Sequence, residues 1–170
     1  VGLDLSIPLN PTATGNGKAG PTVETRRGGI QKIEVDFDRV VQLTPGSVIE
    51  AEDMAGGTSY PAASTSLTNG NKTLVVQFAG GLPDKACYRI DLADHVVNLA
   101  GDTDCLVRSL AGDVNGDGNT NLTDMAFVKS KNVEDLFPDN VRFDVNCGLS
   151  INLTDMALVK SLNGGRAACP

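Results

Sequence analysis

An internal duplication constrains this chain more than any other feature. Residues 121–132 read NLTDMAFVKSKN and residues 152–163 read NLTDMALVKSLN, so ten of twelve positions match at an offset of 31 residues. Similarity this close implies two copies of one supersecondary unit stacked on each other. Met125, Val128, Met156 and Val159 recur at helical spacing, which predicts a pseudo-symmetric pair of helices packed through those side chains.

Before about Leu110 the apolar signal has period two. Ile33, Val35 and Phe37 alternate with Lys32, Glu34 and Asp36; Leu3, Leu5 and Ile7 repeat the pattern, as do Leu74, Val76 and Phe78, and Tyr88, Ile90 and Leu92 around Arg89 and Asp91. Such runs predict half-buried antiparallel strands. Turn-rich stretches at Asn10 to Pro21, Ala55 to Ser66 and Asn69 to Asn71 separate them, which suits a sandwich of about seven strands. The expected fold is multidomain: an all-β immunoglobulin-like sandwich over residues 1–110, then a small all-α module over residues 111–170. The Trp and Cys spacing of antibody domains is absent, so that likeness is one of architecture. Leu110 to Gly112 is too short for a free linker, so the two parts should pack together.

Composition narrows function. A net charge of −7 lacks the basic face that nucleic acid requires. No apolar run approaches the roughly 18 residues of a spanning helix. With no Trp, five Phe and two Tyr, stacking platforms for sugars or single strands are unsupported. One histidine, His95, with no nucleophile partner, no phosphate loop and no nucleophile elbow, points away from an enzyme. The pair Arg26 and Arg27 before Gly28 reads as a turn flank; of three sequons, at Asn71, Asn121 and Asn152, the latter two coincide with the proposed loops and give way to structural roles there. The chain opens at Val1 with no charged or apolar leader, so it reads as a fragment whose signal peptide was removed or lies upstream. Cys87, Cys105, Cys147 and Cys169 show no C-x-x-C spacing and are even in number, which predicts disulfides and an oxidising, secreted or cell-surface setting. Of three connectivities, sequence proximity favours Cys87 with Cys105 and Cys147 with Cys169.

The chemistry lies just before each repeat helix. Asp113, Asn115, Asp117, Gly118, Asn119, Asn121 and Asp124 fit a twelve-residue calcium loop, in which alternate side chains converge on a hard cation needing six to eight oxygens. Asp113, Asn115 and Asp117 supply side-chain oxygens, Asn119 its backbone carbonyl, Asn121 a water-mediated contact, and Asp124 closes the shell. Gly118 allows the sharp turn. Without a cation, Asp113, Asp117 and Asp124 would be three carboxylates forced together. The second loop offers Asp144, Asn146, Ser150, Asn152 and Asp155, but has Gly148 at the fifth position and Leu149 at the turn, so it should bind more weakly, through water, or not at all.

A calcium loop ending in Asp, then a helix, then a second copy without an entering helix resembles the dockerin type I family over about Gly112 to Asn163. That resemblance implies a Ca2+-dependent module that docks a cohesin-like domain. It places partner contacts at Leu122, Thr123, Lys129 and Ser130 in the first copy, and at Leu153, Thr154, Lys160 and Ser161 in the second. The family often carries a hydroxyl pair where this chain has Leu-Thr. The implied function is non-catalytic anchoring of a secreted or surface protein, as a monomer. Two other readings stand beside it. In one the sandwich binds carbohydrate and the repeat is a calcium-stiffened clasp; in the other the chain is a structural spacer, with the Leu122 and Leu153 faces buried on the sandwich.

Overall fold

The computed structural model describes Ile7, residues 23–101 and residues 103–169. Three alternating segments become strands within two residues of their expected bounds: β2 (Lys32–Asp36), β7 (Thr73–Gln77) and β8 (Ala86–Asp91). Around them run β1 (Val23–Glu24), β3 (Gln42–Leu43), β4 (Glu50–Asp53), β5 (Ser59–Pro61), β6 (Ser64–Thr68), β9 (Val96–Val97) and β10 (Asp104–Ser109). Leu3, Leu5 and the whole Asn10 to Pro21 turn region lie outside the described residues, and Ile7 is buried but not in a strand. The supposed turn over Ala55 to Ser66 instead contains β5 and the start of β6. β4 escaped notice because its sequence is Glu-Ala-Glu-Asp, in which Ala51 alone is fully buried.

The strands form a five-stranded sheet in the order β1-β10-β8-β4-β5, a three-stranded sheet β2-β7-β6, and a pair β3-β9. β1 runs parallel to β10, and the other pairings are antiparallel. The two larger sheets close on one apolar cluster: Ile33, Leu74 and Val76 from one, Ala51, Tyr88, Ile90 and Val107 from the other. This is the layered solution available to sheets with one apolar face each. Tyr88 is fully buried because its hydroxyl donates to the Pro83 carbonyl at 2.8 Å and its ring meets Tyr60 edge-on.

A separate all-α module does not form, contrary to the sequence expectation. The described residues make one mostly-β body that carries two nine-residue helices, α1 (Leu122–Ser130) and α2 (Leu153–Ser161), with a 3-10 turn at Val141–Phe143. The physical reason is a shortage of core. The helix pair closes over five fully buried side chains, Val114, Val128, Val145, Ile151 and Val159, with Met125 and Met156 packed alongside. Segments this small rarely bury enough apolar area to stand alone. They are tied instead to the sheet edge, where Val23, Leu110 and Ala167 form a joint cluster. The strap leaving β1 is central to this: Gly112 N–H donates to Thr25 O (2.8 Å), Thr25 Oγ1 to Arg142 O (2.6 Å), and Arg27 N–H to Val145 O (2.7 Å).

The disulfide pairing also differs. Cys87 bonds Cys169, 82 residues away. In the β8–β10 register Cys87 lies opposite Arg108 while Cys105 lies opposite Ile90. Three residues of strand separate the two positions by about 10 Å, beyond the ~7 Å Cα limit of a bridge. Cys105 is half-buried on β10, and Cys147 is an exposed thiol in the second loop, 3.7 Å from Arg27 O. Among the described residues no helix is long and apolar enough to cross a membrane.

Candidate metal centre

Both loops fold around a pair of buried carboxylates. In the first, Asp113 Oδ1 accepts from Asp117 N–H (3.0 Å) and Oδ2 from Gly118 N–H (2.9 Å). Asp124 Oδ1 accepts from Asn115 N–H (3.1 Å) and Oδ2 from Asn121 N–H (2.9 Å). The latter bond, with Asn121 Oδ1 accepting from Thr123 N–H at 2.7 Å, is a reciprocal cap that starts α1. Asn115 Oδ1 accepts from Asp117 N–H (2.8 Å), and Asp117 Oδ1 from Asn119 N–H (2.9 Å). The loop is thus coiled tightly around oxygen, as the sequence spacing predicts.

The chain terminus braces this loop from outside. Asn119 faces Arg166 in a short antiparallel bridge, with Thr120 N–H donating to Gly165 O and Ala167 N–H to Gly118 O. Those bonds use the groups flanking Asn119, so its own carbonyl points to the opposite edge. Gly118 has φ +84°, and a Cβ there would come within 3.2 Å of Ala167 O, so glycine is required on both counts.

Asp113 and Asp124 are fully buried. Burial pushes Asp113 up to about 6, with the charges of Asp124 and Asp117 adding to the rise and the Gly118 N–H bond opposing it. Burial also raises Asp124, against the N–H bonds from Asn121 and Asn115. Sequence reasoning missed the cation that answers them. Arg108 on β10 is 3% exposed, and its Nη1 lies 3.4 Å from Gly116 O and 3.9 Å from Asp113 Oδ2. Nothing in the strand pattern around Asp104–Ser109 signals that an Arg turns inward beneath a loop that begins five residues later.

The second loop repeats the frame with weaker chemistry. Asp144 accepts from Gly148 N–H (2.8 Å) and Leu149 N–H (2.9 Å), and Asp155 from Asn146 N–H (3.0 Å) and Asn152 N–H (2.9 Å). Burial raises Asp144 against its two N–H bonds. Ser150 is exposed, and its Oγ accepts from Asn152 Nδ2 at 2.8 Å. The carboxylate of Asp117 has no counterpart, because Gly148 occupies that position. Leu149 adopts φ +61° and Cys147 φ +60°, where the first loop has Gly118 and Gly116. A left-handed non-glycine residue costs about 1–2 kcal/mol.

Among the described residues no three His, Cys, Asp or Glu side chains gather as a ready metal cage. The first loop instead holds two buried carboxylates, Asp113 and Asp124, with Asp117 and Asn115 each engaged by loop N–H groups beside them. That all-oxygen chemistry suits a hard cation such as Ca2+, and carboxylate oxygens that each accept N–H bonds retain lone pairs for one.

The sequence-predicted contact residues of α1 and α2 are all exposed. Leu122 is 59% and Leu153 69% exposed, and Thr123, Lys129, Ser130, Thr154, Lys160 and Ser161 are exposed beside them. Ser130 and Ser161 each donate to the carbonyl three residues back, Phe127 and Leu158. Phe127 on α1 is exposed as well; an aromatic at an outward helical position, where the second copy has Leu158, was the available signal. No protein-family model matches the chain, and no curated protein matches it.

Proposed function

We propose that this chain is a non-catalytic anchoring fragment of a secreted or surface protein, in which a Ca2+-stiffened first loop presents a repeat-derived helix face to a cohesin-like domain. The observation that carries this reading is the division of surfaces. The loops turn inward to the sheet through Thr25, Arg27 and Arg108, while the Leu122 and Leu153 faces stay open to solvent. A spacer docked on its own sandwich through those leucines requires the opposite.

Asp113, Asn115, Asp117, Asn119, Asn121 and Asp124 would hold the cation, and bound there it would supply the positive charge that lets three carboxylates share one loop. The protein's own residues do the rest. Asp124 caps α1 and belongs to the ligand set, so loop closure and helix start are one event, and the position of Leu122 and Thr123 follows from it. In the second loop Asp144, Asn146, Ser150, Asn152 and Asp155 keep the helix start without the third carboxylate, a structural copy more than a second equal site.

Calorimetric titration of the chelated protein with calcium, beside Asp113→Ala and Asp124→Ala, tests the metal half. One site of clear heat, abolished by either change, is the expected result; no heat and no calcium-dependent rise in melting temperature would overturn it. Immobilised cohesin domains test the partner half, with retention expected in calcium and loss in chelator. The bridge from Cys87 to Cys169 favours a second reading, a calcium-stiffened clasp closing the sandwich. Calcium-dependent stability without cohesin retention would select it.

A further inference from the structure

The cluster under the first loop contains a charge the calcium reading does not use. Arg108 projects from β10, opposite Cys87 and beside Val23 of β1. Its side chain is 4% exposed and faces Asp113 and Gly116. A Cβ on Gly118 would lie 3.4 Å from its Cζ, so the guanidinium is packed directly beneath the turn. Its Nε is buried with no hydrogen-bond partner. A guanidinium buried with an unmet donor is costly unless its charge is needed. It also stands too far from Asp113, at 3.9 Å, for a forked carboxylate pair.

We propose that Arg108 is an internal counter-ion of the first loop, a positioning residue that partly neutralises Asp113 and Asp117 when no cation is bound and sets the loop's calcium affinity by opposing the ion electrostatically. The proposal rests on the calcium reading above. Its logic is that a single positive charge within reach of the carboxylates does two opposite things. It keeps the calcium-free loop closed against the sheet, since two buried carboxylates and the half-buried Asp117 otherwise repel one another. It also repels a divalent ion arriving at the same oxygens. The sandwich thereby tunes the loop it carries. The second loop has an analogous neighbour: Arg26, which its Glu24 partner holds at 2.7 Å, feels Asp144 as well. Arg26 is committed first to Glu24, so the direct counter-ion role belongs to Arg108.

The test measures calcium affinity by calorimetry and melting temperature in chelator, on the full chain, for wild type, Arg108→Met, Arg108→Gln and Arg108→Lys. The two neutral variants should bind calcium more tightly, by at least about tenfold, while melting at lower temperature in chelator. Arg108→Lys should stay near wild type in both. A packing residue with no electrostatic role would move both readouts in the same direction, so affinity falling together with chelated stability would overturn the proposal. Arg108→Gln keeps hydrogen-bond donors and serves if Arg108→Met fails to fold. Wild type that binds, with neutral variants binding no tighter, overturns the counter-ion role alone. Wild type that takes up no calcium overturns the calcium reading and this proposal with it.

Discussion

The two loops are near-copies that differ in what surrounds them. Each presents an Asp pair gripped by four backbone N–H groups, and each ends in the same reciprocal cap on a nine-residue helix. The first loop adds Asp117, two glycines at its left-handed positions, a buried Arg108 beneath and the chain terminus outside. The second has Gly148, strained Leu149 and Cys147, and exposure at both. One duplicated sequence has thus given a closed, charge-rich loop beside the sheet and a looser one held through the Thr25–Arg27 strap. The lesson is that the helix start and the acidic loop separate after duplication: the cap survives in both copies, the third loop carboxylate in one.

The largest expected effect breaks the brace around the first loop. Cys87→Ser, or reduction, removes a bridge that closes an 82-residue separation. The loop-entropy model puts the loss at about 4 kcal/mol. Denaturant melts would record it, and a loss below about 1 kcal/mol would mean the terminus clasps the loop without the bond.

Next comes calcium itself. At about 100 times its dissociation constant the ion should stabilise the protein by roughly 2.7 kcal/mol. Asp113→Ala should erase this gain while Asp144→Ala leaves most of it, and equal losses from both would make the loops equivalent. Exchanging the turn residues sharpens the same contrast on stability alone. Gly118→Leu should destabilise by more than about 1–2 kcal/mol, since it adds a clash with Ala167 O to the left-handed cost. Leu149→Gly should be neutral or stabilising by up to about 1 kcal/mol.

Acidity offers a smaller signature. Asp113 is raised in the folded state, so its contribution to calcium-free stability is fully present below its ordinary carboxylate range and is lost as pH rises through about 6. Calcium-free protein should therefore melt at a higher temperature near pH 5 than near pH 7.5 as far as this group is concerned, and Asp113→Asn should flatten that slope. With calcium the slope should reverse, because the ion holds the deprotonated form. The smallest stability effects belong to the outer face. Leu122→Glu and Leu153→Glu should each change stability by no more than about 0.5 kcal/mol, as exposed sites do. Cohesin retention, by contrast, should drop where the altered face is the one used.

Much of this was legible in the residues. β2, β7 and β8 followed from alternation at Ile33, Leu74 and Tyr88, and the coiled, oxygen-rich loops with their helix caps followed from the Asp and Asn spacing, because both patterns are local. β4 was hidden since a strand with one inward side chain, Ala51, has no apolar period to detect. Arg108 was hidden for a deeper reason: its role depends on which loop lies above β10, and strand sequence does not encode that.

By itself, then, the sequence determined the duplication, the paired capped helices, the oxygen-rich loops and the period-two strands, all of which arise from contacts within a few residues. Only the tertiary structure decided that the helices would not stand as a separate module, that Cys87 would meet Cys169, and that Arg108 would lie beneath Asp113. Those outcomes are set by long-range burial. A helix pair with five fully buried side chains must borrow the sheet's edge to cover its loops, and where it lands fixes which cysteine and which charge it meets.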